Sequence, residues 1–212
     1  MSGRLVIDLC TEPVERVACE LVVAFCFEDE RPLRGSAGRA DWRLCGDLSR
    51  FVDSAGPGPA SGALLLPTGG RLRAGRLMLL GLGPAAGFAA DDCARAVREA
   101  TRRILDLRVH SAALGPPGDW IDRIPVGIGA QACVRGAVAA LAETGATLEI
   151  RLLTPTERAA RVIRGLEAAA ADMQDRGVAI ELPRPERVAS PRAAHGSPAR
   201  AGIPPIPPYS QP

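Results

Sequence analysis

The sequence predicts a three-layer α/β domain with a mixed, mostly parallel sheet. Strand-like runs alternate with helical patterns along the first 182 of the 212 residues, which is the order of elements in α/β proteins. The apolar runs in the middle of the chain are uninterrupted, as in strands that are buried on both faces. The composition, with 47% hydrophobic and 24% charged residues, is typical of a folded globular chain.

The first half of the chain is predicted to contain four strands and one helix. We predict strands at 4–9 and 18–27, because both segments are short and rich in aliphatic or aromatic residues. The runs 63–67 and 76–82 flank a Gly-Gly turn and are predicted to pair as a hairpin. The segment 40–54 is predicted to be an amphipathic helix. Its apolar residues recur at intervals of three or four: Trp42, Cys45, Leu48, Phe51 and Val52.

Three more helices and three more strands are predicted in the second half. The helices cover 91–107, 131–143 and 155–174, and the strands cover 110–114, 147–153 and 178–182. Either Asp91 or Asp92 can cap the first of these helices.

The amino-acid composition of the chain changes at residue 183. The segment 183–212 is rich in proline, which lacks a backbone N–H, and it has little apolar surface to bury. It contains four Arg and one Glu, a net charge of +3, whereas the preceding residues have a net charge of −1. We therefore predict an α/β domain over 1–182 and a disordered Pro/Arg-rich tail over 183–212.

The composition excludes several kinds of chemistry. All 26 basic residues are arginine, so there is no lysine for a Schiff base or a phosphate-binding loop. The six cysteines lack the C-x-x-C spacing of zinc sites and are predicted to be reduced and buried. No apolar run approaches the roughly 20 residues of a membrane helix, and Met1–Cys10 does not read as a secretory signal. We expect a cytoplasmic protein without membrane contacts.

The segment from about Cys19 to Leu114 contains an ordered set of five shorter stretches. They are VVAFCFED (22–29), PLRGSAGRADW (32–42), LCGDLSRFVDSAG (44–56), ALLLPTGGRLRAGRLMLLGLGP (63–84) and FAADDCARAVREATRRILDL (88–107). The order is a strand, a Gly-bearing loop, a helix, a hairpin that ends in Gly-Leu-Gly, and a long helix. It resembles the N-terminal domain of the leucine aminopeptidase (cytosol aminopeptidase) family.

This resemblance implies a macro-domain-like α/β/α fold without peptidase activity. In that family the metal ligands belong to a separate catalytic domain with an N-T-D-A-E-G-R-L stretch, which this sequence lacks. We therefore expect no catalytic residues, no metal site and no cofactor. The expected function is a non-catalytic protein-interaction or regulatory module. Its expected partner is a separately encoded catalytic domain or a second copy of the chain.

A second hypothesis is a macro-like module that binds ADP-ribose or a related nucleotide. Gly81 and Gly83 lie between a strand and a helix, where backbone N–H groups can contact a phosphate. The complete G-x-G-x-x-G spacing is not met, Pro84 lacks an N–H, and a tight turn would need the same glycines. Gly81 and Gly83 are therefore candidate ligand-binding residues for this alternative only.

The segment 34–42 is a second Gly-bearing loop. One interpretation is a partner-binding loop with Trp42 as an aromatic anchor. We favour a mobile loop with Trp42 packed on the sheet, since large aromatic residues at helical spacing usually belong to the core. Ser36 lacks an evident base, because His110 begins a strand and His195 lies in the tail.

A third hypothesis is a DNA-binding accessory protein that uses arginine clusters and the tail; the resemblance suggests it, because some relatives of the aminopeptidase bind DNA. Arg71, Arg73 and Arg76 lie together in the predicted hairpin, and four more arginines lie along the helix 91–107. Such clusters can bind phosphates. Acidic residues interleave with the arginines of the helix, which favours an ion-paired, solvated face.

Overall fold

A computed structural model describes residues 3–55 and 62–182. The predicted tail, 183–212, lies outside the described residues. Among the described helices, none combines the length and the hydropathy that crossing a bilayer requires.

The described residues form one seven-stranded sheet. Its strands are β1 (Gly3–Cys10), β2 (Leu21–Cys26), β3 (Ala63–Pro67), β4 (Arg76–Gly81), β5 (Ser111–Leu114), β6 (Thr147–Leu153) and β7 (Val178–Glu181). They lie in the order β3-β4-β2-β5-β6-β1-β7. β3 pairs antiparallel with β4, and all other neighbours are parallel. The predicted mixed, mostly parallel sheet is confirmed, and so is the hairpin.

In the described part of the chain, five helices cover the two faces of the sheet. They are α1 (Gly35–Arg43), α2 (Asp47–Ala55), α3 (Ala90–Asp106), α4 (Val126–Thr144) and α5 (Ala159–Asp172), with short 3-10 turns at Val14–Arg16, Thr156–Arg158 and Gln174–Arg176. One part of the core joins the sheet to α3, α4 and α5, and the other joins it to α1 and α2. The three-layer α/β/α architecture is therefore confirmed.

The central strand β2 is buried on both faces, which explains why no polar residue interrupts its sequence. Leu21, Val23 and Phe25 pack in the core beneath α3–α5, and the alternate residues pack beneath α1 and α2. Every residue of β2 is buried. Apolar residues are therefore required at both sets of positions, which removes the alternating pattern of a half-exposed strand.

The layer of α3, α4 and α5 is closely packed. At Gly136 a Cβ atom would lie 2.3 Å from the carbonyl oxygen of Ala94 on α3. Only glycine permits this approach of the two helices, which explains why α4 is rich in small residues. Cys93 and Cys133 are buried in the same layer. Cys45, in contrast with the prediction of buried thiols, is exposed.

Two helices differ from their predicted boundaries. The predicted helix over 40–54 is the pair α1 and α2, because Cys45 and Gly46 have φ angles of 58° and 83° and interrupt the helical path. The helix predicted from residue 131 begins at Val126, directly after Pro125. Its first turn contains two glycines, which weaken the periodic signal that sequence analysis uses.

Candidate ligand-binding cleft

A cleft opens at the edge of the sheet where the parallel strands β1, β5 and β6 end. Ligands of open α/β sheets bind outside the carboxyl ends of the strands. The cavity has a volume of about 470 Å³, which lies in the range of small-molecule sites, roughly 300–1,000 Å³. It is lined by the segments that follow the three strands and by α1: Thr11, Glu12, Pro13, Val14, Gly35, Ser36, Arg39, Gly115, Asp119, Leu153, Thr154 and Pro155.

The N-terminus of α1 forms one wall of the cleft. Gly35 and Ser36 line the cavity, and the first intrahelical bond is from the N–H of Gly38 to the carbonyl of Arg34. The N–H groups of the residues before Gly38 therefore have no acceptor within the helix. The first turn contains no acidic residue and no side-chain cap. This end of α1 thus presents a partial positive charge to the cleft, which suits an anionic ligand.

Gly35 is required for this arrangement. Its φ angle is +56°, and a Cβ atom there would lie 2.6 Å from Cε3 of Trp120. Trp120 donates a hydrogen bond from Nε1 to Oε1 of Glu30, at 2.7 Å. Burial raises the pKa of Glu30. The segment after β5 and the segment before α1 are therefore held together on two sides of the cleft.

Arg39 is the cationic side chain of the cleft, and Glu15 holds it in place. Its guanidinium donates two hydrogen bonds to the carboxylate of Glu15, at 2.7 and 3.2 Å. Although burial opposes the shift, the hydrogen bond from Arg39 keeps the pKa of Glu15 below its usual value. A bidentate pair restricts the guanidinium to one orientation.

Two carboxyl groups also face the cleft. Glu12 is exposed, whereas Asp119 is partly buried, and burial raises the pKa of Asp119 to about 6. The nearby Arg158 offsets part of this shift and donates a hydrogen bond to the Asp119 carbonyl oxygen at 3.1 Å. The charge of the cleft therefore depends on pH near neutrality.

Gly81 and Gly83, the candidate residues from the sequence, lie away from this cleft beside α3. The N–H of Gly81 donates to Gly62 at 2.8 Å, and the carbonyl of Gly83 accepts from Glu28 at 2.9 Å. Gly81 lines a separate cavity of about 260 Å³. The first turn of α3 contains two aspartates, and Asp92 accepts the N–H of Ala89 at 2.8 Å. Ligand binding by Gly81 and Gly83 stays a prediction.

The structure agrees with some of the other predictions made from the sequence and disagrees with others. Trp42 is 80% exposed, so the prediction that it packs on the sheet is wrong. The helix buries Ala37 and Ala40 instead, because it is short and these small residues allow it to lie close to the sheet. Ser36 lines the cleft, but His110 is exposed at the far end of β5.

The arginines of α3 are ion-paired, as predicted. Arg98 and Arg102 both contact the carboxylate of Glu143 on α4, and Arg95 contacts Asp92. Within residues 3–55 and 62–182, no group of three or more His, Cys, Asp or Glu side chains is placed to hold a metal ion.

Sequence analysis missed most of the cleft. Thr11, Gly115 and Thr154 line it, and each directly follows a parallel strand. This common position was the available signal, since the carboxyl ends of parallel strands share one edge of a sheet.

The fold defined by these elements is that of the macrodomains. A variant of the Oceanobacillus iheyensis macrodomain with ADPR superposes with a TM-score of 0.63 at 11% identity, covering 80% of this chain and 95% of that one. The Trypanosoma brucei macrodomain in complex with ADP-ribose gives a TM-score of 0.59 at 14% identity, covering 74% and 67%. The macrodomain of Thermus aquaticus DarG gives 0.56 at 15% identity, covering 71% and 99%. No protein-family model and no curated protein matches the sequence.

These similarities correct the resemblance inferred from the sequence. Assignment to the leucine aminopeptidase N-terminal domain is wrong, because the matching structures are macrodomains and none of these comparisons supports an aminopeptidase. The function expected from that resemblance, an interaction or regulatory module for a peptidase, is overturned with it. The ordered segments that suggested it reflect the order of strands and helices, which the macrodomain fold shares. The implied macro-domain-like fold is confirmed.

Proposed function

We propose that this chain is a macro-type module that binds ADP-ribose, or a closely related nucleotide, in the cleft beside α1. The observation that carries the proposal is the open N-terminus of α1 at the carboxyl edge of the sheet, with Gly35 and Ser36 on the cavity wall. Of the similar structures, the Trypanosoma brucei macrodomain is in complex with ADP-ribose and the Oceanobacillus iheyensis variant is with ADPR.

The residues of the cleft fit the parts of such a ligand. The diphosphate would be bound by the N–H groups at Gly35 and Ser36, because a helix N-terminus attracts anions. Arg39 would add a guanidinium, which matches phosphate geometry. The segment from Thr11 to Val14 supplies apolar and hydroxyl groups on the same wall, suited to a base and a ribose.

Two features of the cleft weaken its binding of anions. Pro116 and Pro117, which follow the cleft residue Gly115 in sequence, have no N–H to donate. The carboxylates of Glu12 and Asp119 repel phosphate when they are ionised. We therefore propose an affinity that rises as the pH falls towards the pKa of Asp119.

Titration calorimetry of the full chain with ADP-ribose tests the proposal. We expect one site per chain, competition by ADP, and weaker competition by AMP because AMP lacks the second phosphate. The absence of heat and of a thermal shift at millimolar ADP-ribose at pH 5.5 would refute it.

Hydrolysis of an ADP-ribosyl bond is a second candidate, favoured by one observation. Asp119 faces the cleft with a pKa of about 6, which suits general acid–base catalysis near neutral pH. Incubation with an ADP-ribosylated protein and measurement of released ADP-ribose decide between the two. Release that is lost in Asp119→Asn supports turnover, whereas binding without release supports the non-catalytic module.

A further inference from the structure

A positively charged surface adjoins the cleft. It comprises five arginines and one tryptophan, and we call it the arginine–tryptophan face: Arg16, Arg39, Trp42, Arg43, Arg71 and Arg73. Each of these six side chains is exposed. Arg39 also lines the cleft, so the two surfaces are continuous.

The alternation of buried and exposed residues places these side chains outside. Leu72 and Ala74 are buried, at 3% and 0% exposure, so the intervening Arg71 and Arg73 point to solvent. On α1 the buried residues are alanines, and Arg39, Trp42 and Arg43 lie on the other side. Residues three and four apart are neighbours on a helix surface, which brings Trp42 and Arg43 next to Arg39.

Contacts between three segments hold the face together. The N–H of Arg73 donates to the carbonyl of Glu15 at 3.1 Å, and the side chain of the same glutamate binds Arg39. Arg71 donates to the carbonyl of Leu44, at the end of α1, at 3.4 Å. The segments around Arg16, α1 and the turn before β4 therefore form one surface.

The face has more cations than its acids can neutralise. Glu15 pairs with Arg39, and Asp47 pairs with Arg71 and Arg50. Within the described part of the chain, Arg16, Arg43 and Arg73 have no carboxylate at ion-pair distance. Trp42, which is 80% exposed, lies on α1 one turn from Arg39 and next to Arg43 in sequence, with its ring open to solvent.

Charge complementarity limits what can cover this face. A second copy of the chain in a two-fold symmetric contact through this face would bring the same arginines together, and the segment 183–212 has a net charge of +3, so both are repelled. The occupant must be anionic and must use an exposed aromatic ring. Single-stranded nucleic acid satisfies both needs, since its phosphates bind arginine and its unpaired bases stack on aromatic side chains.

We propose that the arginine–tryptophan face binds single-stranded nucleic acid, with phosphates on Arg16, Arg43 and Arg73 and a base stacked on Trp42. The proposal goes beyond the ADP-ribose site and does not depend on it. It also differs from binding through the arginines of α3, whose charges are neutralised by ion pairs.

Fluorescence anisotropy with a labelled 12-nucleotide oligo-dT tests the proposal on the full chain. The test variant combines Arg16→Gln, Arg43→Gln and Arg73→Gln. The matched control combines Arg161→Gln, Arg164→Gln and Arg176→Gln, which removes the same charge from exposed arginines on and beside α5. Both variants retain residues 183–212, so any contribution of that segment is common to them.

We expect the test variant to bind at least tenfold more weakly than the control. The slope of log affinity against log salt should fall in magnitude by about 2, since each phosphate contact on a single strand contributes about 0.7. Trp42→Ala should weaken binding about tenfold without changing this slope, because stacking is not ionic. It should also remove the quenching of tryptophan fluorescence by the oligonucleotide.

Equal binding by the test and control variants would overturn the proposal, as would no binding at low salt. Displacement of the oligonucleotide by polyglutamate at equal charge concentration would also overturn it, in favour of an acidic protein partner. ADP-ribose calorimetry on the test variant keeps the two proposals separate. Its affinity should equal that of the wild type, because Arg39 is unchanged.

Discussion

The junctions that lead from β2 into α1 and from β4 into α3 have opposite properties. The junction at α3 carries the Gly-Leu-Gly pattern, but the N–H of Gly81 is bonded to Gly62 and the first turn of α3 contains Asp91 and Asp92. The junction at α1 lacks such a pattern, yet its first turn is free of acidic residues and side-chain caps and faces a cavity of about 470 Å³. Unsatisfied donors, rather than glycines, distinguish an anion site from a tight turn.

A negative charge at the start of α1 should have the largest effect. Ser36→Glu places a carboxylate on the cleft wall and is expected to reduce ADP-ribose affinity at least 100-fold. The same change should maintain or raise the melting temperature, because an acidic residue in the first turn stabilises a helix. Calorimetry and thermal unfolding measure the two effects. Ser36→Ala is the control, and unchanged affinity in Ser36→Glu would place the ligand elsewhere.

Removal of the cleft cation should have the next largest effect. Arg39→Gln is expected to weaken ADP-ribose binding about tenfold, the loss of roughly one charge-assisted hydrogen bond. Glu15→Gln retains the guanidinium and should change the affinity by less than about twofold. If the two variants lose affinity equally, Arg39 acts through the pair with Glu15 and not by contact with ligand.

Neutralisation of Asp119 should strengthen binding and remove its dependence on pH. The wild-type carboxyl is neutral below its pKa of about 6 and charged above it, so the affinity for an anion should fall about fivefold from pH 5 to pH 7.5. Asp119→Asn should bind with the high affinity at both pH values. A wild-type affinity that does not change over this range would contradict the assignment of Asp119 to the cleft.

The raised pKa of Asp119 also predicts how the free energy of unfolding depends on pH. The folded-state pKa of Asp119, about 6, exceeds the value of about 3.9 in an unfolded chain. The folded protein therefore holds a proton that the unfolded chain has lost, and the free energy of unfolding should fall by about 2 kcal/mol as the pH rises from about 4 to about 6. Urea unfolding of Asp119→Asn should show no such fall.

A substitution at the junction between β4 and α3 should affect the stability of the fold but not the affinity for ADP-ribose. Gly83 has a φ angle of 76°, so Gly83→Ala is expected to cost about 1 kcal/mol of unfolding free energy. Its ADP-ribose affinity should equal that of the wild type. If the Gly83→Ala protein is folded but binds ADP-ribose tenfold more weakly, the ligand-binding site lies at Gly81 and Gly83 instead.

The fold was more predictable than the site because it depends on local patterns. The apolar run of β2 and the periodicity of α3 mark buried surfaces that neighbouring residues specify. The break between α1 and α2 was predictable only in part: Gly46 is a helix-ending signal, whereas the positive φ at Cys45 depends on packing and not on residue type. The cleft was missed although Thr11 and Gly115 each directly follow a strand, because residues that are far apart in sequence meet only when the parallel strands align.

The position of bound ADP-ribose tests the central claim most directly, and a crystal structure of the complex would measure it. The account predicts that the diphosphate lies within hydrogen-bond distance of the N–H groups of Gly35 and Ser36, with Asp119 at the cleft wall. Electron density for the ligand beside Gly81 and the first turn of α3, with the cleft at α1 empty, would contradict it.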